Sequence, residues 1–448
     1  MKLIPRYLTL FCALTLHAAE TDWKAGVAKA VITPKEPMMM AGYASRTKPA
    51  EGTALDLYAK ALALEDAHGT RFVFVTLDLV GVPRTLRAEL ERRLGEAYHL
   101  PPEGLLLNVS HTHCGPDYTV SGKPGIDVAA GDSSQAEAYG KFLTKTLFKI
   151  VGDALTLAAP AQLSYHHARC GFAMNRRLLL DGTYHNSPNP EGPVDQDVPV
   201  LRVIGTDGAV RAILFGYACH NTTLAFYQWS GDYAGYAQES IEAAHPGAVA
   251  LFLEGCGGDQ NPYPRGKIEL AQFHGRNLAT AVEAALTATA QPVSGPLREK
   301  LADVEIAFAH LPDRAELAAQ LKSPNKLDAS HAQQLLNRLD QEKTFPPGYP
   351  YPVQVVRFGD GLTFVGLAGE TVVDYSLRLK RELAGPPVWI AGYCNDVMTY
   401  IPSRRVLEEG GYEAVDAMKY SRLPGPWAST TEERIIGQVH ALLHAIAP

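Results

Sequence analysis

The sequence predicts an α/β protein: one large domain with a β-sheet core flanked by helices. Three observations lead there. Short apolar runs of strand length alternate with longer segments whose apolar residues recur at helical spacing. The polar and glycine-rich residues fall just after the apolar runs, where α/β sheets hold their ligands. The composition is that of a folded chain: 448 residues, 46% hydrophobic and 20% charged, with 39 Gly and 31 Pro. Disordered, collagen-like and coiled-coil proteins are excluded.

Residues 1–19 read as a secretory leader. Lys2 and Arg6 give a basic start, 7–16 is almost wholly apolar, and His17, Ala18 and Ala19 precede Glu20. The run falls short of the roughly 20 residues of a membrane span. A secreted or periplasmic protein is therefore expected, with 20–448 as the domain. No later stretch reaches about 18 apolar residues, so no membrane span is expected. A formal net charge of −7 offers no footprint for nucleic acid, and the expected partner is a small molecule. The six cysteines include no Cys-x-x-Cys pair, which argues against a disulfide framework or a structural zinc finger. Beyond the leader, Cys114, Cys170, Cys219, Cys256 and Cys394 are an odd set, expected to be buried singles, with one pair left open.

In chain order, strands are expected at 71–78 and 105–109, separated by a helix over 84–98 with Leu86, Leu90 and Leu94 on one face. A long helix follows over 135–157. Strands at 198–204 and 212–218 flank the turn signal Asp207-Gly208 and predict a hairpin. A helix over 234–244, a strand over 248–253 and a helix over 268–287 come next. Residues 310–345 read as a peripheral helical insertion, broken near Ser323-Pro324-Asn325. Strands at 353–358, 362–367 and 388–393, a helix over 372–383 and a last helix from Thr431 complete the pattern.

Four strand ends carry unusual residues. His111-Thr112-His113 suits one metal, one ligand plus one base, or two histidines hydrogen-bonded in a turn; in a continuing strand the two would share a side. His220 follows the strand over 212–218 and is either a ligand or a core histidine. Gly255-Cys256-Gly257-Gly258-Asp259 follows the strand over 248–253. Such a loop can turn its N–H groups on an anion or simply be tight; it lacks the Gly-Lys-Ser/Thr of a Walker loop. Glu370 follows the strand over 362–367, as a metal ligand or as an acid near a helix N-terminus. Taken together, two His sites, a Glu and a Gly/Asp loop suit a catalytic zinc site with three protein ligands and an open position. Zinc is preferred, one ion per chain, although iron or manganese would accept the same donors. No Gly-x-Ser-x-Gly elbow supports a serine hydrolase.

The ordered set of motifs resembles the catalytic domain of the neutral/alkaline non-lysosomal ceramidases. Ala25 to Pro34 followed by Met40-Ala41-Gly42-Tyr43-Ala44 is similar to the family's opening strand and Met-Gly-Tyr-Ala segment. His111-Thr112-His113-Cys114-Gly115-Pro116 is similar to its Thr-His-Thr-His-Ser-Gly-Pro motif. Asn175-Arg176, Val194-Asp195, the region from His220 to Tyr236, Gly369-Glu370 and Tyr400-Ile401 resemble further segments. The resemblance implies zinc on His111, His220 and Glu370, with Tyr400 as a weaker fourth ligand. It implies His113 as base or proton shuttle, and Arg176 as the group that binds a substrate oxygen or oxyanion. A structural ion pair from Arg176 to Asp195 or Asp197 is the competing reading. Asp259 is a second candidate for proton handling.

Two departures accompany the resemblance. Asn261 stands where the family has its essential serine, so hydrolysis is expected to use a metal-activated water, with Asn261 able to donate to an oxyanion. Ceramidases also extend into a C-terminal immunoglobulin-like domain, and the resemblance covers their catalytic part. The leading expectation is a zinc-dependent hydrolase of an amide (N-acyl) bond in a small lipid or sugar derivative. The alternatives are a metal-dependent hydrolase of an ester or glycosidic bond, and a non-catalytic binding protein on the same scaffold.

Overall fold

A computed structural model of the chain describes residues 22–118, 130–383, 385–421 and 423–447. The leader expected over 1–19 lies outside the described residues. The chain opens on an antiparallel meander of β1 (Trp23–Val31), β2 (Tyr58–Asp66) and β3 (Arg71–Leu77). Helix α1 (Arg84–Tyr98) crosses to β4 (Leu105–Val109), parallel to β3. Helix α2 (Ala130–Thr156) leads to β5 (Ala159–Arg169). β6 (Ala173–Leu180) and β7 (Thr183–Asn189) leave as a hairpin. β8 (Asp197–Gly205) and β9 (Val210–Tyr217) form the hairpin that Asp207-Gly208 predicts. Then come α3 (Asp232–Ala244), β10 (Val249–Glu254) parallel to β9, β11 (Gln260–Pro262), α4 (Ile268–Thr287) and β12 (Gln291–Val293). These strands build a nine-stranded sheet in the order β10-β9-β8-β5-β1-β2-β3-β4, with β12 beside β5; β11, β6 and β7 form a small sheet of their own.

A second sheet follows. Its strands are β13 (Leu297–Ala307), β14 (Gly348–Phe358) and β15 (Leu362–Leu367), with α5 (Arg314–Gln320) and α6 (Lys326–Glu342) inserted before β14. After β15 come β16 (Glu370–Thr371), α7 (Val373–Glu382), β17 (Val388–Ala391), β18 (Tyr400–Ile401), α8 (Arg404–Glu409) and α9 (Thr431–Ala445). The order is β13-β14-β15-β17, and β16 pairs with β18.

Side-chain alternation explains how the two sheets meet. On β3, Phe72 and Phe74 face one way and Val73, Val75 and Leu77 the other; on β15, Leu362 and Phe364 separate from Val365 and Leu367 in the same manner. Phe72, Phe74, Leu214, Leu251, Phe358, Phe364 and Trp389 share one core between the sheets. The Phe74 and Phe364 rings meet edge to face at 5.3 Å. Burying each such ring contributes roughly 1.5–3 kcal/mol. Helices α1 and α2 cover one half of the large sheet's other face, α3 and α4 the other half, and α7 and α9 cover the small sheet. The expected α/β class is therefore built as four layers, helix, sheet, sheet and helix.

The large sheet also curls until its two edge strands touch. Glu254 N–H of β10 donates to Asn108 Oδ1 of β4 at 2.9 Å, and Asn108 Nδ2 donates to Gly392 O at 2.8 Å. This amide occupies edge groups that would otherwise template foreign strands. It also brings the carboxyl ends of β4, β10 and β17 together.

The insertion over 310–345 is the expected helical hairpin. Asp313 and Glu316 form a capping box on α5, and the Asn325 side chain caps α6 right after the predicted break. Leu317, Leu335, Leu339 and Phe345 make it a small core of its own. All five cysteines among the described residues are free; four are buried and Cys170 is half-buried. No helix among the described residues is long and apolar enough to cross a membrane.

Candidate metal centre

β4 ends at Val109, and His111 takes a left-handed φ of 57°. The strand therefore does not continue, and alternation is not what brings the two histidines together. A turn folds His113 back until its Nε2 lies 3.1 Å from His111 Nε2. His220 follows β9, with its backbone N–H on Gln260 O. Glu370 lies just before α7, whose N-cap is Val372, and opens β16, in parallel register directly opposite Tyr400 on β18. Glu370 Oε2 stands 3.2 Å from the Nε2 atoms of both His111 and His220. Tyr400 Oη is 3.0 Å from His220 Nε2. His111, His220, Glu370 and Tyr400, contributed by four distant segments, thus face one point, with His113 beside them.

Hydrogen bonding fixes the protons. His111 Nδ1 lies 2.5 Å from Val80 O, and His220 Nδ1 lies 2.7 Å from Gly257 O. A carbonyl needs a donor, so both Nδ1 atoms carry hydrogen and both Nε2 atoms turn lone pairs inward. Burial, then the Arg176 charge, pushes His220 down to about 4. Glu370 Oε2, between the two, is buried without any hydrogen-bond donor. Lone pairs and a carboxylate oxygen crowded together suit a cation. On a tetrahedral ion with bonds of about 2.0–2.1 Å, neighbouring ligand atoms lie about 3.3–3.4 Å apart, close to the separations here. The residues fit zinc.

The three imidazoles are not equivalent. One ring nitrogen from each lies within 4.8 Å of the other two, so distance alone admits a three-histidine set. Metal-bound histidines, however, characteristically donate their second N–H to a fixed acceptor. His111 and His220 do so; His113 Nδ1 is buried with no partner. Burial, followed by the neighbouring His111 and His220, holds His113 well below the usual histidine range.

Other expected site residues stand behind this layer. Arg176 donates from Nη2 to Tyr400 Oη at 2.9 Å, from Nη1 to Asn261 Oδ1 at 3.2 Å and from Nε to Glu413 at 2.8 Å. Its ion-pair partner is Glu413; Asp195 and Asp197 both pair with Lys380 instead. Asn261 is buried, and its oxygen also accepts from Thr222 Oγ1 at 3.3 Å. Asp259 spends its carboxylate away from the ligand set. It accepts from Asn175 Nδ2 and from the Val373 N–H that opens α7, and burial raises it to about 6. The acid that serves a helix N-terminus is thus Asp259 rather than Glu370. The glycine loop forms no open nest. Gly255, Gly257 and Gly258 spend their N–H groups on Tyr217, Gly255 and Thr371 carbonyls. Glycine is required there for contact: a Cβ on Gly258 would lie 2.6 Å from Glu370 O.

Sequence reading missed several participants. Tyr393 takes a left-handed φ of 53°, packs its ring at a tilt with its centroid 4.7 Å from that of His111 and buries an unpaired hydroxyl. Glu413 anchors Arg176 and Arg177 together. Neither lies in a spaced motif, so only the fold reveals them. A pocket of about 370 Å³ opens over His111, His113, Glu370 and Tyr400, walled by Tyr43, Tyr412, Tyr420, Val397 and Met398, with the alcohols Ser45, Thr399 and Ser421. Arg176, Asn261 and Asp259 are not among the groups that line it.

Comparisons with known proteins bear on the family and the fold. A family model described as neutral/alkaline non-lysosomal ceramidase, N-terminal, matches residues 23–266. Neutral ceramidases of Drosophila pseudoobscura pseudoobscura and Drosophila melanogaster are each 31% identical over 103 and 99 residues, 22% and 21% of this chain. The match spans 14% of either relative's length. Among solved structures, the neutral ceramidase from Pseudomonas aeruginosa superposes with a TM-score of 0.71 at 21% identity, covering 96% of this chain and 76% of that one. A ceramidase complexed with C2 gives 0.70 at 20% identity, covering 94% and 76%. At such identities the likeness is one of fold.

Proposed function

Because the chain belongs to the neutral/alkaline non-lysosomal ceramidase family, we propose that it is a zinc-dependent hydrolase that cleaves an amide (N-acyl) bond. The ligands are His111, His220, Glu370 and Tyr400. The observation that carries this reading is the Glu370 oxygen without a donor, flanked at 3.2 Å by two imidazole lone pairs. Zinc bound here would supply Lewis acidity and bring the pKa of a water toward about 7.

The chain's own residues do the rest. His113, at the pocket wall with an unpartnered Nδ1, takes the proton from the attacking water and returns it to the leaving amine. Arg176 acts through Tyr400, holding its oxygen in place, and not on the substrate. Asp259 supports α7 and Asn175 and carries no proton step. Asn261 cannot act as a serine-like nucleophile, which favours direct attack by water without an acyl-enzyme. Apart from the cation-facing Glu370 and histidines, the pocket wall bears no charged side chain among the described residues, which suits an uncharged substrate. Residues 1–19 support export to a secreted or periplasmic setting.

The test is elemental analysis of purified protein together with a side-by-side panel of N-acyl amines, N-acyl sugars, esters and glycosides. One zinc per chain and metal-dependent acid release from N-acyl compounds, lost in His111→Ala, is the expected result. Protein without stoichiometric metal would overturn the reading. Asn261 at the position of the family's serine favours a second reading, a metal-dependent hydrolase of another bond; turnover confined to esters or glycosides would select it.

A further inference from the structure

The segment Met40-Ala41-Gly42-Tyr43 lies beside the centre, yet none of the steps above uses it. We infer that Gly42, Tyr43 and Arg46 are positioning residues for His113: they form a strap that sets its imidazole in place of the missing Nδ1 hydrogen bond. This rests on the metal-hydrolase reading. His111 and His220 are each oriented by an Nδ1–H on a carbonyl, whereas His113 Nδ1 is buried without a partner. An imidazole so placed keeps its orientation only through packing.

The packing is specific. Gly42 has a φ of +92°, and the position a Cβ would take on it falls on the His113 side chain. A methyl there would overlap Cγ, with Nδ1 2.5 Å and Cβ 2.7 Å away. Only glycine offers both the left-handed backbone and the space. On the next residue, the Tyr43 ring meets the imidazole edge to face at 4.7 Å, and its hydroxyl donates to Leu224 O at 3.1 Å. Arg46 ties this turn down. Its guanidinium, 3% exposed, donates to Ala41 O at 2.6 Å, to the carbonyl of His113 itself and to Phe226 O at 3.0 Å. It also lies over the rings of Tyr43 and Tyr227. One cation thus joins the Gly42 turn, the His113 backbone and the 224–227 segment, and holds the ring with Nε2 toward the cation site.

The experiment uses zinc-loaded protein and two variants, Gly42→Ala and Arg46→Lys, the second retaining charge while losing the forked donors. Misplacing a reacting group by about 1 Å costs about 100-fold. A drop of that order in kcat is expected for Gly42→Ala and of roughly 10-fold for Arg46→Lys, with KM within about threefold and zinc still at one per chain. Crystal structures of both variants should show the His113 ring rotated away from His111. Unchanged kcat, or a ring left in place, would overturn the inference, as would zinc lost in step with activity. Should the wild type hold zinc but hydrolyse none of the panel, the functional reading fails while the ring orientation in the variants still decides the strap. If Gly42→Ala does not fold, Arg46→Lys carries the test.

Discussion

At the scale of single residues, the centre is defined by which hydrogen bonds are made and which are withheld. His220 is a ligand candidate because the Gly257 carbonyl takes its Nδ1 proton. A methyl on Gly257 would lie 2.5 Å from Glu254 Oε1 and 2.9 Å from Cys219 N. Gly257→Ala should therefore move that carbonyl and weaken zinc binding by about 10–100-fold, measured by chelator competition. His113→Ala should behave oppositely, keeping zinc while losing about 100-fold or more in kcat; loss of the metal would make His113 a ligand. His111, His220 and Glu370 were legible as a candidate set because each follows an apolar run. Tyr393 and Glu413 were not legible, since a left-handed turn and a buried ion pair leave no pattern in a single sequence. The i, i+2 argument brought His111 and His113 together for the wrong reason, because the strand stops at Val109.

At the scale of elements, legibility followed burial. Helices 84–98 and 268–287 and strands 105–109 and 362–367 match the structure to the residue, because their apolar spacing is unbroken. The strands β2, β5 and β13 escaped. β2 is rich in alanine, which signals helix as readily as strand, while β5 and β13 are half exposed and carry polar residues along their length. β16 and β18, two residues each, are too short for any periodicity, yet they set Glu370 opposite Tyr400. Helix α7 depends on a residue far away in sequence: Val373 N–H donates to Asp259 Oδ1 at 2.8 Å. Asp259→Ala should destabilise the protein by about 1–2 kcal/mol, read by denaturant unfolding, with zinc affinity changed far less than in Gly257→Ala.

At the scale of the whole molecule, two seams hold the layers. One is the Asn108 amide between the edges of the large sheet; Asn108→Ala would leave Glu254 N–H unpaired and Gly392 O with only the weak Cys394 thiol donor. A loss of about 2–3 kcal/mol is expected in denaturant unfolding. The other lies where the chain passes from β12 of the large sheet to β13 of the second, with Leu297 N–H on Asp66 Oδ2. Glu299 sits there, raised to about 7 by burial and by Glu103 and Asp66. Its folded-state pKa exceeds the unfolded value, so the stability it contributes is full below about pH 4.5 and is lost as pH rises through 7. Glu299→Gln should leave stability at pH 4.5 nearly unchanged and raise it by roughly 1 kcal/mol at pH 8, after allowance for solvent screening. The two seams have a bearing on the cation. Both nitrogen donors, His111 and His220, precede β13, and both oxygen donors, Glu370 and Tyr400, come after it. A nick in the chain between Val293 and Leu297 would therefore divide the coordination sphere into an imidazole fragment and an oxyanion fragment, neither able to retain the ion alone. Zinc would then act as a rivet whose capture reports that the two pieces have reassembled.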